Sequence, residues 1–291
     1  MRVGCDLPYF RDPAEIRAFA QATEELGYDH LGFSEHVATS RTTRMPSGFS
    51  FDDPWHEATS LLGFLAGVTS RIELNTAMLL VTLRPPVLVA KQLAELDLLS
   101  GGRLRVGVSV GWNREEQAAL GVDASTRGRR IEEALLLLRR LWSEGAVTHD
   151  GEFFTLDQVG IHPRPARPIP LWMGAGGLES GGEPPDTALR RAARLADGFK
   201  LMAPTGRDAD HSIELAERLH THAADAGRSL QVEGRLLTQL TPPEEWVTVI
   251  RRYRQSGVFS HVGLGNRIAG GTVDDQIDLV RRVVELTRAE W

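Results

Sequence analysis

RVGCDLPYFRDPAEIRAFAQATEELGYDHLGFSEH, residues 2 to 36, decides the architecture. RVGCDLP is a short strand candidate. In the next stretch Asp12 stands where a helix N-cap is needed, with Pro13 at the first helical position and Glu15 in the first turn. Ile16, Phe19, Ala20 and Thr23 then share one helical face, and Gly27 ends the helix. HLGFSEH returns as a second strand. Strand, helix and strand within about thirty residues is the size of a parallel βαβ unit.

The same grammar repeats along the chain. Strands are predicted near 3–8, 30–34, 71–81, 104–111, 169–174, 197–202, 232–238 and 260–264. Helices are predicted near 12–26, 54–69, 85–99, 126–144, 186–195, 208–226, 243–256 and 273–289. Eight strands alternating with eight helices fit an α/β fold of the closed (β/α)8 or TIM-barrel kind better than an open sheet. AVTHDGEFFTLDQVGIHPRPARPIP (146–170) holds a His-Asp-Gly turn between short β-like runs and a Pro-rich return. It reads as an insertion, about 145–168, within one domain covering 1–291.

The composition, 42% apolar and 25% charged, is that of an ordinary globular protein. A formal net charge of −6 argues against a nucleic-acid surface. The basic runs Arg127–Arg130 and Arg190–Arg194 read as solvated helix faces. Cys5 is the sole cysteine, which excludes an internal disulfide and a thiolate metal cluster. No run approaches the roughly 18 apolar residues of a membrane span, so a cytoplasmic location is expected.

Barrel enzymes place catalytic groups at the carboxyl ends of strands and on the loops that follow. Asp6 lies there after the first strand, Glu35 and His36 after the second, Trp112 and Asn113 after the fourth, and Gly174 to Gly177 after the fifth. His36 is suited to proton exchange near neutral pH. In MGAGGLESGGEPPD (173–186), glycines leave backbone amides open to an anion, although an ordinary Gly/Pro loop reads the same way. His56-Glu57 lacks the second histidine of a zinc motif, and no GxSxG elbow occurs.

Several stretches resemble the bacterial luciferase-like superfamily, especially its branch of oxidoreductases using the deazaflavin coenzyme F420. The most specific is LNTAMLLVTLRPPVLVAKQLAELDLLSGGRLRVGVSVGWNREE (74–116); RGRRIEEALLLLRRLW (127–142), PLWMGAGG (170–177) and ADGFKLM (196–202) follow in the expected order. The resemblance implies a flavin or deazaflavin lying across the barrel mouth. It places His36 near the reacting carbon and Glu35 near the ring's polar edge as the catalytic pair. It implies a non-prolyl cis peptide at Ala77–Met78 beneath the ring, and a phosphate at Ala175, Gly176 and Gly177 with Lys200 as counter-charge. Asn75, Val110, Gly111 and Trp112 complete the expected cofactor contacts. Each has a structural competitor: His36 and Glu35 bonding loop backbone, Met78 as core filler, Lys200 at a solvated rim. Trp112 also departs from the pattern, because sugar-phosphate dehydrogenases of this superfamily carry a catalytic glutamate there; Glu115 and Glu116 are in reach of the same loop.

The expected activity is hydride transfer between F420 and a small organic substrate. The alternatives are an FMN-dependent monooxygenase fed by a separate reductase, and a flavin-binding relative without turnover. Neither nucleic acid nor membrane is expected as a partner. A homodimer through barrel helices is, with LLGFLAGV (61–68) as a candidate contact or simply a helix buried on its own barrel.

Overall fold

A computed structural model describes residues 1–43, 45, 49–176, 183–202 and 209–291. The strands are β1 (Arg2–Asp6), β2 (His30–Phe33), β3 (Glu73–Leu79), β4 (Leu104–Val108), β5 (Val147–Asp150), β6 (Thr155–Val159), β7 (Leu171–Ala175), β8 (Gly198–Leu201), β9 (Gln231–Leu237) and β10 (His261–Gly265). All but β5 and β6 form a closed parallel barrel in the order β1-β10-β9-β8-β7-β4-β3-β2. The helices are α1 (Pro13–Glu25), α2 (Ala58–Val68), α3 (Pro86–Leu99), α4 (Arg114–Ala119), α5 (Arg127–Ser143), α6 (Asp186–Leu195), α7 (Ala209–Asp225), α8 (Pro243–Ser256) and α9 (Val273–Thr287). The expected (β/α)8 barrel is therefore present.

Local chemistry sets the element ends as the sequence implies. Asp12 caps α1 by accepting the Ala14 N–H at 2.8 Å, and Gly27 turns the chain out of the helix at φ +81°. The insertion is an antiparallel β5–β6 hairpin outside the barrel wall. Glu133 of α5 fastens it, accepting the N–H groups of Phe153 and Phe154, each at 3.0 Å. Arg103 ties the turn after α3 to the end of α2 through Thr69 Oγ1 and the Ile72 carbonyl. In the 61–68 stretch, Leu61, Leu62, Leu65 and Ala66 are buried within the chain's own core.

The barrel interior is charged, which the apolar strand patterns did not reveal. Arg105 donates to Glu73 at 2.5 Å and to Glu233 at 3.0 Å, and its guanidinium stacks on Trp172. Lys200 bridges Glu233 (3.0 Å) and Asp6 (3.2 Å), and Arg235 meets Asp6 at 2.8 Å. Three cations thus face three carboxylates along the axis, which offsets the cost of burying them. Neighbouring glycines make the room: a Cβ on Gly198 would strike the Trp172 ring, and one on Gly4 would strike His30.

The buried histidines give the fold a pH signature. Burial lowers the pKa of His30 and holds that of His261 down to about 3, so both rings fold neutral. An unfolded imidazole takes up its proton near 6.5, roughly. Unfolding therefore binds protons as pH falls below about 6.5, and stability present above that value is lost toward the lower folded pKa. Glu233 acts with the same sign at lower pH: burial alone would raise its pKa, but the cations Lys200 and Arg105 hold it well below the carboxylate range. The thermal midpoint should fall between about pH 7 and about pH 5, before ordinary carboxylates titrate. A flat midpoint over that interval would contradict the neutral burial of both rings.

Candidate active site

The carboxyl ends of the barrel strands enclose a cavity of about 710 Å³, within the range of small-molecule and cofactor sites. Its floor is the β3 segment expected from sequence. The Ala77–Met78 peptide is cis. The Ser34 hydroxyl, just past β2, donates to the Ala77 carbonyl at 2.6 Å and fixes that segment to its neighbour. Met78 extends over Gly107 and Gly174; a Cβ on Gly174 would lie 2.7 Å from its Cε and 2.9 Å from its Sδ. Glycine there is a packing requirement, since the thioether occupies the space of a side chain.

Glu35 and His36 diverge. The Glu35 carboxylate is buried and takes four hydrogen bonds: from Arg84 Nη1 (2.8 Å) and Nη2 (2.9 Å), and from the N–H groups of Leu80 (2.8 Å) and Ala58 (3.1 Å). Burial raises its pKa against the opposing pull of Arg84 and the amides. It binds β2, the turn after β3 and the start of α2 into one unit, so its lone pairs are spent on protein. His36 lines the cavity, its ring edge-to-face with Trp55 (centroids 4.6 Å apart) and Trp112 (5.4 Å). Its Nδ1 lies 2.8 Å from Glu116 Oε2.

Other expected residues sort by depth. Ala77, Met78, Val110, Gly111, Trp112, Ala175 and Gly176 line the cavity. Gly177 lies outside the described residues. Asn75 is not on the cavity wall: two positions below Ala77, it is buried inside the barrel with Oδ1 packed against Gly32. Lys200 is likewise not a counter-charge at the mouth; it is buried beneath it, between Asp6 and Glu233. Both expectations are corrected for one reason, that these side chains belong to an interior layer below the rim.

The 36–53 loop was expected at the substrate pocket and Arg267 of GLGNRIAGGT (263–272) as a tail contact for the cofactor; Tyr9 and Trp55 carried no sequence signal. Tyr9, Phe49 and Trp55 form an aromatic cluster with centroids 4.6–5.7 Å apart, and Arg267 lies over Tyr9 and Phe49 while pairing with Asp53 at 3.2 Å. The cavity is also lined by Arg127 at the start of α5 and Arg191 of α6, from runs that read as solvated helix faces. Trp55 Nε1 and Asn266 Nδ2, on wall residues, are buried donors with no partner among the described residues. No cluster of metal-ligating side chains exists among the described residues.

A parallel barrel whose open end sets an imidazole beside a glycine-lined, ligand-sized cleft has the build of a barrel enzyme. The profile of the luciferase-like monooxygenase family matches residues 1–272, and the chain belongs to that family. An uncharacterized Mycobacterium tuberculosis protein is 36% identical over 176 residues, 60% of this chain and 58% of its own length. A Beutenbergia cavernae protein named F420-dependent glucose-6-phosphate dehydrogenase is 33% identical over 224 residues, 75% of this chain and 61% of its own. The chain thus spans 58% to 61% of the length of these curated relatives.

Among solved structures, an F420-dependent secondary alcohol dehydrogenase in complex with an F420-acetone adduct has a TM-score of 0.78 at 18% identity, covering 99% of each chain. The monooxygenase RslO1 from Streptomyces bottropensis has a TM-score of 0.76 at 17% identity, again covering 99% of each. These likenesses show the shared fold. No helix among the described residues is long and apolar enough to cross a membrane.

Proposed function

We propose that the protein is an oxidoreductase that exchanges hydride between deazaflavin coenzyme F420 and a small neutral alcohol or carbonyl compound. The observation that carries this is that His36 lines the same glycine-rimmed cavity as the cis Ala77–Met78 segment. The cavity fits a planar tricyclic ring in volume, with the Met78 thioether, seated over Gly107 and Gly174, as part of its wall. The named activity of the Beutenbergia cavernae relative supports the choice of coenzyme. When bound, the deazaflavin supplies the hydride acceptor or donor carbon; everything else falls to the chain.

The residues divide the work. His36 takes or returns the substrate proton. Trp55 and Trp112 hold its ring, and Met78 with Gly174 supports the floor. Arg127, at the start of α5, lines the same cavity as Gly176 and is the cation proposed to balance a phosphate there. Glu35 holds the mouth together and exchanges no proton.

The substrate side points away from a sugar phosphate. Beside the aromatic cluster, the cavity arginines are already matched, Arg235 by Asp6 and Arg267 by Asp53. A phosphoryl group would have to compete with both carboxylates. A neutral molecule meets the aromatic faces of Tyr9, Phe49 and Trp55 instead.

Fluorescence titration of the purified protein with F420 and with FMN tests the coenzyme. Saturable F420 binding in preference to FMN is expected. Exclusive tight binding of FMN would replace this reading by a flavin monooxygenase supplied by a reductase, and binding of neither would remove the redox assignment.

A further inference from the structure

We propose that Glu116 is a positioning residue that fixes His36 as its Nδ1–H tautomer, leaving Nε2 as the nitrogen presented to the cavity. The consequence for turnover rests on the function proposed above; the tautomer itself does not. Glu116 is buried on the short helix α4, behind His36, and does not line the cavity. Its Oε2 lies 2.8 Å from His36 Nδ1. Its Oε1 accepts two backbone N–H groups of the His36 loop, Val37 at 2.6 Å and Ala38 at 3.2 Å. Asn113, the N-cap of α4, accepts the Glu116 N–H at 3.1 Å and orients the acid.

The hydrogen-bond inventory then dictates the proton. An ionised carboxylate only accepts, so Nδ1 must carry the hydrogen and Nε2 must carry the lone pair. The same acid grips the ring and the two amides after it, so the imidazole cannot turn without dragging its own loop. The ring is flanked edge-on by Trp55 and Trp112, which block the remaining rotation.

The isosteric variant Glu116→Gln makes a sharp test. The two amides need an oxygen, so the glutamine carbonyl stays on Val37 and Ala38 and the NH2 group turns to Nδ1. That makes Nδ1 an acceptor and moves the proton to Nε2. Long-range nitrogen–proton NMR of the cofactor-free, 15N-labelled protein at about pH 8, above the ordinary imidazole range, reads the tautomer directly. Wild type should show the Nδ1–H signature and Glu116→Gln the Nε2–H signature. With coenzyme and substrate saturating, the variant should lose about 10²–10⁴-fold in kcat, the usual share of general acid–base catalysis.

A wild-type ring protonated at Nε2, or at both nitrogens, overturns the proposal whether or not the variant folds. So does a Glu116→Gln ring that keeps the wild-type signature together with wild-type kcat. If the tautomer is as stated but His36→Ala keeps full turnover, the function proposed above fails and the tautomer assignment stands.

Discussion

Replacing His36 by asparagine should lower kcat by about 10²–10⁴-fold, the range contributed by a positioned acid–base group. Coenzyme affinity should change by less than about tenfold, or 1.4 kcal/mol. Asparagine is the informative choice because its amide can still donate toward Glu116, whereas alanine would strand that buried carboxylate. The loss should fall on the step that moves the proton and not on binding, since only the edge of the imidazole contributes to the wall between Trp55 and Trp112. Pre-steady-state and steady-state rates with saturating coenzyme separate the two. Full turnover by the variant would leave the cavity without its acid–base group and end the catalytic reading of His36.

Glu233→Ala should be the most damaging single change to the fold. Its carboxylate holds Arg105 at 3.0 Å and Lys200 at 3.0 Å with no exposure to solvent. Removing one partner of a buried pair costs roughly 3–5 kcal/mol, because the other charge remains buried. At about 2–4 °C per kcal/mol for larger domains, the thermal midpoint should drop by about 6–20 °C. Lys200→Met in the same chain should recover part of that loss, since it removes a buried cation left with Asp6 as its one carboxylate. Calorimetry of the two single variants and the double variant checks this. A Glu233→Ala midpoint within about 2 °C of wild type would mean that the ladder contributes little net stability.

The two experiments probe regions that differ in how far the sequence reveals them. Repeated βαβ units fixed the barrel, because parallel strands buried on both faces read as apolar runs and α1 and α9 carry side-chain caps at Asp12 and Thr272. Helix α4 escaped notice: at six residues it has no periodicity to detect, only the Asn113 cap. At the site, His36, Ala77 and Met78 were legible because a strand end is a position along the chain. Asn75 and Lys200 were misplaced because rim and interior differ by depth, which depends on barrel tilt and stagger. Both point into the barrel, but below the opening.

The aromatic cluster was hidden for another reason. Tyr9, Phe49 and Trp55 come from two separate loops, and no short-range pattern marks residues that meet only when a barrel closes. Arg84 shows the reverse case. It lies within the 74–116 stretch that carries the family resemblance, but its use became clear only with Glu35 beside it, where both are parts of one brace.

The pairing of β1 with β10 along Arg2 to Cys5 joins the earliest and latest strands of the cylinder. During translation the first strand therefore waits with one edge open until the ribosome has delivered the eighth wall segment, 259 residues later by the register Arg2↔His261. Nascent chains stalled before β10 emerges should present that edge to neighbouring polysomes or to chaperones.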